Sequence, residues 1–147
     1  METPTDFTGK NIVITGSAGG LGLEMGRRFA EAGGEVVLTD VNKVQGHQAA
    51  EGLRGQGARV RFEGLDVSQP DQSIDLVDKL VAELGPIDIW VNNAGVAHKG
   101  PAEELPVDQW RETMDVMLSG AFYCSQAVAK PMLSRGEGVI VNIASVI

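Results

Sequence analysis

Apolar residues occur along this chain in short runs, separated by stretches in which they recur every three or four residues. The runs have the length of β-strands and lie at about residues 11–15, 35–40, 58–63, 87–91 and 136–144. The intervening stretches have helical spacing and lie at about residues 20–32, 43–56, 68–84 and 108–134. This alternation predicts a doubly wound parallel sheet of the α/β class, with helices on both faces.

The spacing also predicts which side chains face the sheet. For the first three helices we expect Leu21, Met25, Phe29, Ala32, Val44, Ala50, Leu53, Ile74, Val77, Leu80, Val81 and Leu84 to point inward. Residues 68–71 have the sequence of a capping box with proline in the first turn. The stretch 108–134 is apolar almost all round, so we expect it to be buried on more than one side.

A glycine-rich turn follows the first strand. Residues 12–22 are Ile-Val-Ile-Thr-Gly-Ser-Ala-Gly-Gly-Leu-Gly. Glycine permits a tight turn and a close approach to a ligand, and the N-terminus of the helix that follows favours a phosphate. Strand, glycine turn and helix in this order predict a dinucleotide site. Taken alone, the stretch is also compatible with a plain glycine loop between a strand and a helix.

The second strand ends on Asp40, 18 residues after Gly22. An acid at about this offset accepts hydrogen bonds from the adenosine ribose of a dinucleotide. A phosphate on that ribose would be repelled by Asp40, and no arginine lies at positions 39–42 or in the glycine loop. The sequence therefore predicts NAD rather than NADP. The alternative is that Asp40 only caps a turn.

Three segments resemble motifs of the short-chain dehydrogenase/reductase family. The first is Thr-Gly-x-x-x-Gly-x-Gly at 15–22, the second is Asn-Asn-Ala-Gly at 92–95, and the third is Ile-Val-Asn-Ile-Ala-Ser at 140–145. The resemblance extends from about residue 7 to 147. For the second segment an Asn-Gly-type turn remains the alternative, and for the third Ser145 could simply end a strand.

The resemblance implies a Rossmann fold with strand order 3-2-1-4-5 and a site at the carboxyl ends of the strands. It implies hydride transfer between a nicotinamide cofactor, here NAD, and a small-molecule alcohol or ketone, with Ser145 as a catalytic residue that binds the substrate oxygen. The residues expected to bind the cofactor are Gly16, Ser17, Gly19, Gly20, Leu21, Gly22, Asp40, Asp66, Val67, Asn93, Ala94 and Gly95.

The chain departs from the family pattern in two ways. It contains no Tyr-x-x-x-Lys motif, and its single tyrosine, Tyr123, is followed four residues later by Ala127. Met117 stands where many members have an asparagine that is thought to anchor a water in the proton relay. We therefore expect residues 1–147 to form one dinucleotide-binding domain that is incomplete at its C-terminal end.

Three functional hypotheses remain open. The chain is the front part of an NAD-dependent oxidoreductase, a cofactor-binding module without catalysis, or an interaction protein that uses its long helix. Without the strands and helix that would follow in a complete domain, the helix 108–134 and the fifth strand would be exposed. We therefore expect a homo-oligomer formed through that helix.

Composition narrows the choice of partners and compartment. Twelve basic residues against twenty acidic ones give a net charge of −8, which argues against nucleic acid or an anionic membrane. No apolar run approaches the length of a membrane span, and the acidic N-terminus does not have the pattern of a signal peptide. A single cysteine, Cys124, indicates a reducing compartment, and we expect the cytoplasm.

Overall fold

The computed structural model describes residues 5–144, so the predicted catalytic Ser145 lies outside the described residues. The strands are β1 (Asn11–Thr15), β2 (Glu35–Asp40), β3 (Val60–Gly64), β4 (Ile89–Asn92) and β5 (Val139–Asn142). The helices are α1 (Gly20–Glu31), α2 (Lys43–Arg54), α3 (Pro70–Leu84), α4 (Val107–Thr113) and α5 (Gly120–Arg135). A 3₁₀ turn spans Ala102–Glu104, and a π-helical segment, Met114–Ser119, joins α4 to α5.

The strands form one parallel sheet in the order β3-β2-β1-β4-β5, which confirms the predicted fold class and strand order. The central strand β1 pairs with β2 on one side and with β4 on the other. The chain order reverses between these two neighbours. In open α/β sheets ligands bind in the crevice at such a reversal, beyond the carboxyl ends of the strands.

Helices cover both faces of the sheet because alternate residues of each strand point to opposite sides. Ile12 and Ile14 of β1 belong to a buried cluster that includes side chains of α1 and α2. Val13 of the same strand belongs to a second buried cluster, with side chains of α3 and α5. The two clusters are the two halves of the core.

Three apolar residues predicted to face the sheet are exposed instead: Leu21 (59%), Val44 (71%) and Ile74 (41%). In each helix the buried row begins at a small residue one or two positions from the predicted one, namely Gly22, Gly46 and Ser73. A small residue lets the helix approach the sheet closely, but a hydrophobicity pattern gives it no weight. At these three positions the predicted inward face was therefore wrong, because the buried face is rotated around the helix axis from the predicted one.

The predicted capping box before α3 is also wrong. The N-cap residue of α3 is Gln69, and no side chain caps this helix among the described residues. Ser68 donates its hydroxyl to Asp66 Oδ1 at 2.7 Å instead. Pro70 does occupy the first turn, where its missing N–H costs no hydrogen bond.

The predicted long helix 108–134 corresponds to α4, the π-helical segment and α5 in succession. One side of α5 packs on α3, and its buried residues are Gly120, Cys124, Ala127, Val128 and Met132. Burial on a second side was expected and is not seen within residues 5–144. The large apolar side chains exposed along this helical run are Val107, Trp110, Met117, Leu118, Phe122 and Leu133.

Gly46 and Gly52 of α2 test the importance of small residues in the helix–sheet contact. A methyl group at Gly46 would overlap the ring of Phe62 on β3, whereas one at Gly52 would meet nothing within 4 Å. We expect Gly46→Ala to lower the free energy of unfolding by about 1–3 kcal/mol, because of overpacking. Gly52→Ala should raise it by about 0.5–1 kcal/mol, through helix propensity. Urea denaturation of both variants measures the difference, and equal effects would contradict this account.

Candidate functional site

The turn after β1 requires glycine at two positions. Gly16 has φ +61° and Gly20 has φ +55°, both in the left-handed region that side chains rarely adopt. A methyl group at Gly16 would also lie only 2.6 Å from Ala94 Cα. The backbone of the turn therefore passes directly against the segment that follows β4, which brings the first and second sequence motifs together.

Hydrogen bonds hold these two motifs in place. Thr15 Oγ1 accepts from the backbone N–H groups of Asn93 and Ala94, each at 3.0 Å. Asn93 Nδ2 donates to the carbonyl oxygens of Thr15 at 3.1 Å and of Gly16 at 2.9 Å. Thr15 is only 1% exposed, and no role for its hydroxyl was predicted from the sequence. Its place beside Gly16 was the only available signal.

The side chain of Ser17 connects β1 to β2. Its hydroxyl donates to Ile14 O at 2.8 Å and accepts from Thr39 N at 2.9 Å, and the residue is fully buried. The Ser17 side chain thus supports the glycine turn from within the sheet.

Asp40 lies half-buried at the end of β2 and points to the glycine turn. Its Oδ2 accepts from Ala18 N at 3.1 Å, and its Oδ1 accepts from Asn42 N at 3.0 Å. The second bond is the turn cap that we considered as the alternative role of Asp40. Each carboxylate oxygen has a second lone pair, so both remain able to accept a further hydrogen bond.

The N-terminus of α1 offers unpaired backbone donors. Its N-cap is Gly19, and no side chain of the described part of the chain caps the helix. A methyl group on Gly20 would meet nothing within 4 Å, so the space beside the first residue of this helix is open. Uncapped N–H groups and the helix dipole together favour an anion.

Two clefts open at the carboxyl ends of the strands. The first has a volume of about 430 Å³, and its lining includes the predicted residues Gly16, Asp40, Asp66, Val67, Ala94 and Gly95. The second has a volume of about 450 Å³, and its lining includes Asn93 together with Thr15, Met117 and Asn142. Ser17, Gly19, Gly20, Leu21 and Gly22 line neither cleft; they form the turn and the first residues of α1.

One wall of the first cleft was missed in the sequence. It is formed by side chains of α4 and the π-helical segment, namely Asp108, Arg111, Glu112, Asp115 and Val116. No motif marks these residues, and only the packing of the long helical run against the sheet reveals their position.

A buried amide network lies at the second cleft. Asn92, which is 7% exposed, accepts from Trp90 Nε1 at 2.8 Å. Its Nδ2 donates to Asn142 Oδ1 at 2.8 Å and to Ser125 Oγ at 2.9 Å. One amide thus joins β4, β5 and α5. A polar residue at the end of an apolar strand was the signal in the sequence.

Comparison with known proteins identifies the family. The family model for short chain dehydrogenases matches residues 10–147. The chain belongs to this family. Among curated relatives, gluconate 5-dehydrogenase of Gluconobacter oxydans is 37% identical over 148 residues, covering 99% of this chain and 58% of that protein. D-threitol dehydrogenase of Mycolicibacterium smegmatis is 39% identical over 149 residues, covering 99% and 57%.

Solved structures of family members agree with the fold. A gluconate 5-dehydrogenase from Burkholderia cenocepacia, in complex with NADP and tartrate, has a TM-score of 0.90 at 37% identity; the match covers 97% of this chain and 56% of that one. An NAD⁺-bound xylitol dehydrogenase has a TM-score of 0.90 at 34% identity, covering 95% and 54%. The chain spans little more than half the length of each of these relatives.

The helices within residues 5–144 include none that is long and apolar enough to cross a membrane.

Thr15 provides a test of how the two motifs are joined. Thr15→Val keeps the shape of the side chain but leaves the N–H groups of Asn93 and Ala94 without an acceptor. We expect the free energy of unfolding to fall by about 2 kcal/mol or more, because two donors lose their bond. Thr15→Ser retains the hydroxyl and is the matched control. Chemical denaturation measures both, and a Val variant as stable as the Ser variant would contradict this role.

Proposed function

We propose that this chain is the NAD-binding part of a short-chain oxidoreductase that acts on a small alcohol or ketone. The observation that supports this most directly is the position of Asp40. Its carboxylate is held against Ala18 of the glycine turn, at the edge of the first cleft, with lone pairs still available. This is the arrangement by which an acid at the end of β2 accepts from ribose hydroxyls.

The geometry of the described residues fits a dinucleotide. The open space beside Gly20 and the uncapped N–H groups at the start of α1 fit a pyrophosphate. Asp66 and Val67 line the same cleft as Asp40, where we propose that they contact the adenine. The full set proposed to hold the cofactor is Gly16, Ser17, Gly19, Gly20, Leu21, Gly22, Asp40, Asp66, Val67, Asn93, Ala94 and Gly95. When bound, the nicotinamide would supply or accept the hydride.

The choice of NAD rests on charge. The two solved relatives described above hold NADP in one case and NAD⁺ in the other, so family membership leaves the cofactor open. In this chain a 2′-phosphate beside Asp40 would bring two negative charges together in a partly buried site. Asp40 therefore favours the unphosphorylated ribose.

The second cleft is the proposed place of the substrate. It lies where β4 and β5 end, and its lining includes Asn142, Ile143 and Ala144, directly before Ser145. We propose that Ser145 binds the reacting oxygen of the substrate. Proton transfer in the proposed reaction needs a Tyr-x-x-x-Lys pair, which these 147 residues do not contain.

A second candidate function is cofactor binding without catalysis, which the position of Met117 favours. Its side chain lies at the second cleft, near Gly95, and a methyl group on that glycine would be 3.7 Å from Met117 Cε. A thioether cannot replace an amide as a hydrogen-bond donor to a water.

Asp40→Ala tests the proposed cofactor site. We expect the chain to bind NADH more tightly than NADPH in a fluorescence titration. The substitution should weaken NADH binding about tenfold or more, since a hydrogen bond to a charged group is worth about 1.5–3 kcal/mol. It should weaken NADPH binding less, because the repulsion is removed as well.

Asp78→Ala is the matched control for this titration, because it removes the same charge from an exposed position of α3. Its affinity for NADH should equal that of the unmodified chain. A folded chain that binds no nicotinamide nucleotide, or that binds NADPH as well as NADH, would contradict the proposal.

We also propose that the exposed apolar side of the helical run 107–135 is covered by a second copy of the chain. Leu118 and Phe122 lie on it about 60% exposed, one turn apart, with Trp110 nearer its N-terminal end. Light scattering should therefore give a mass above 15.5 kDa. Leu118→Glu should reduce that mass by placing a charge in the contact. A clean monomer mass for the unmodified chain would refute the proposal.

A further inference from the structure

The side-chain amides at the start of α2 have only one arrangement that satisfies their hydrogen bonds. Asn42 is the N-cap residue, and its Oδ1 accepts from the backbone N–H of Gln45 at 3.1 Å. The other atom of this amide, Nδ2, must then donate, and it donates to Gln45 Oε1 at 3.2 Å. The acceptor of Gln45 is thereby fixed toward Asn42, and its donor, Nε2, faces the opposite way.

That donor lies over the glycine turn. A methyl group on Gly19 would be 2.9 Å from Gln45 Nε2, so the amide occupies the space that a side chain at position 19 would fill. Gly19 directly follows Ala18, whose N–H donates to Asp40 Oδ2. Within residues 5–144, Gln45 Nε2 has no hydrogen-bond acceptor. The donor Gln45 Nε2 thus lies beside Gly19, and the carboxylate of Asp40 lies beside the neighbouring Ala18.

A donor beside an acceptor is the recognition pattern for a hydroxyl group, because a hydroxyl both donates and accepts. Asp40 can only accept, and Gln45 Nε2 can only donate. We infer that Gln45 is a second ribose-binding residue, which donates to a ribose oxygen whose own proton is directed to Asp40. This inference rests on the proposed NAD site and adds to it a residue on α2 that none of the sequence motifs contains.

The two residues have different effects on specificity. Asp40 discriminates, because it attracts a hydroxyl proton and repels a phosphate. Gln45 does not discriminate by charge, since its amide can donate to a hydroxyl oxygen or to a phosphate oxygen. In a chain without Asp40, Gln45 would therefore support binding of the phosphorylated cofactor. Specificity for NAD requires the carboxylate, and affinity at the ribose requires both groups.

Gln45→Ala and Gln45→Glu test the inference by equilibrium titration with NADH, followed by nucleotide fluorescence. Alanine should weaken NADH binding about fivefold, the loss expected for one hydrogen bond of about 1 kcal/mol. Glutamate should weaken it at least as much, because it replaces the donor with a second carboxylate beside Asp40. Gln48→Ala, the same change one turn further along α2 at an exposed position, is the matched control and should bind NADH unchanged.

The same substitution in an Asp40→Ala background separates donation from simple filling of space. There Gln45→Ala should weaken NADPH binding about fivefold, whereas an amide that only occupied space would leave it equal or make it tighter. If Gln45→Ala binds NADH like the unmodified chain while Asp40→Ala does not, this inference is wrong and the proposed NAD site stands. If the unmodified, folded chain binds neither nucleotide, both are wrong.

Discussion

The candidate site depends on the close approach of the glycine turn to the end of β4. Gly16 passes so near Ala94 that no side chain fits between them, and the hydroxyl of Thr15 pairs two backbone donors of the facing segment. Asn93 returns two hydrogen bonds to the turn. The remaining geometry follows from this contact. The turn can then meet Asp40 on its other side, and the first cleft opens between the ends of β1, β2 and β4.

The sequence predicted the elements and their order well, because strand runs and helical spacing depend on local pattern. The faces of the helices were harder to predict. The buried rows include Gly22, Gly46 and Ser73, which a hydrophobic pattern does not count. Gly26 of α1 packs against Leu38, Val36 and Ile14 of the sheet, and Gly22 packs against the glycine turn and Asn93. Close contacts of this kind depend on the absence of a side chain, which a hydrophobicity pattern does not measure.

In the candidate site, too, some residues could be placed from the sequence and others could not. Residues at the ends of strands could be placed from the sequence, because parallel strands present their carboxyl ends at one edge. The wall that includes Arg111 and Val116 could not be placed, since it depends on how a distant helix packs. The π-helical segment Met114–Ser119 adds to the difficulty, because it changes the angular phase between α4 and α5. The sequence of 108–134, taken as one continuous helix, therefore does not give the faces of α4 and α5 correctly.

The amide of Asn92 limits which residues can replace it. Its two polar atoms contact Trp90, Ser125 and Asn142, which belong to β4, α5 and β5. Exchanging Asn92 for an apolar residue would leave the indole N–H of the fully buried Trp90 without an acceptor, and the cost of this exceeds what the bond itself contributes. Ser125 and Asn142 are only partly buried or exposed, so water can replace their bonds to the amide. Position 92 is therefore constrained through the indole of its own strand more than through α5 or β5.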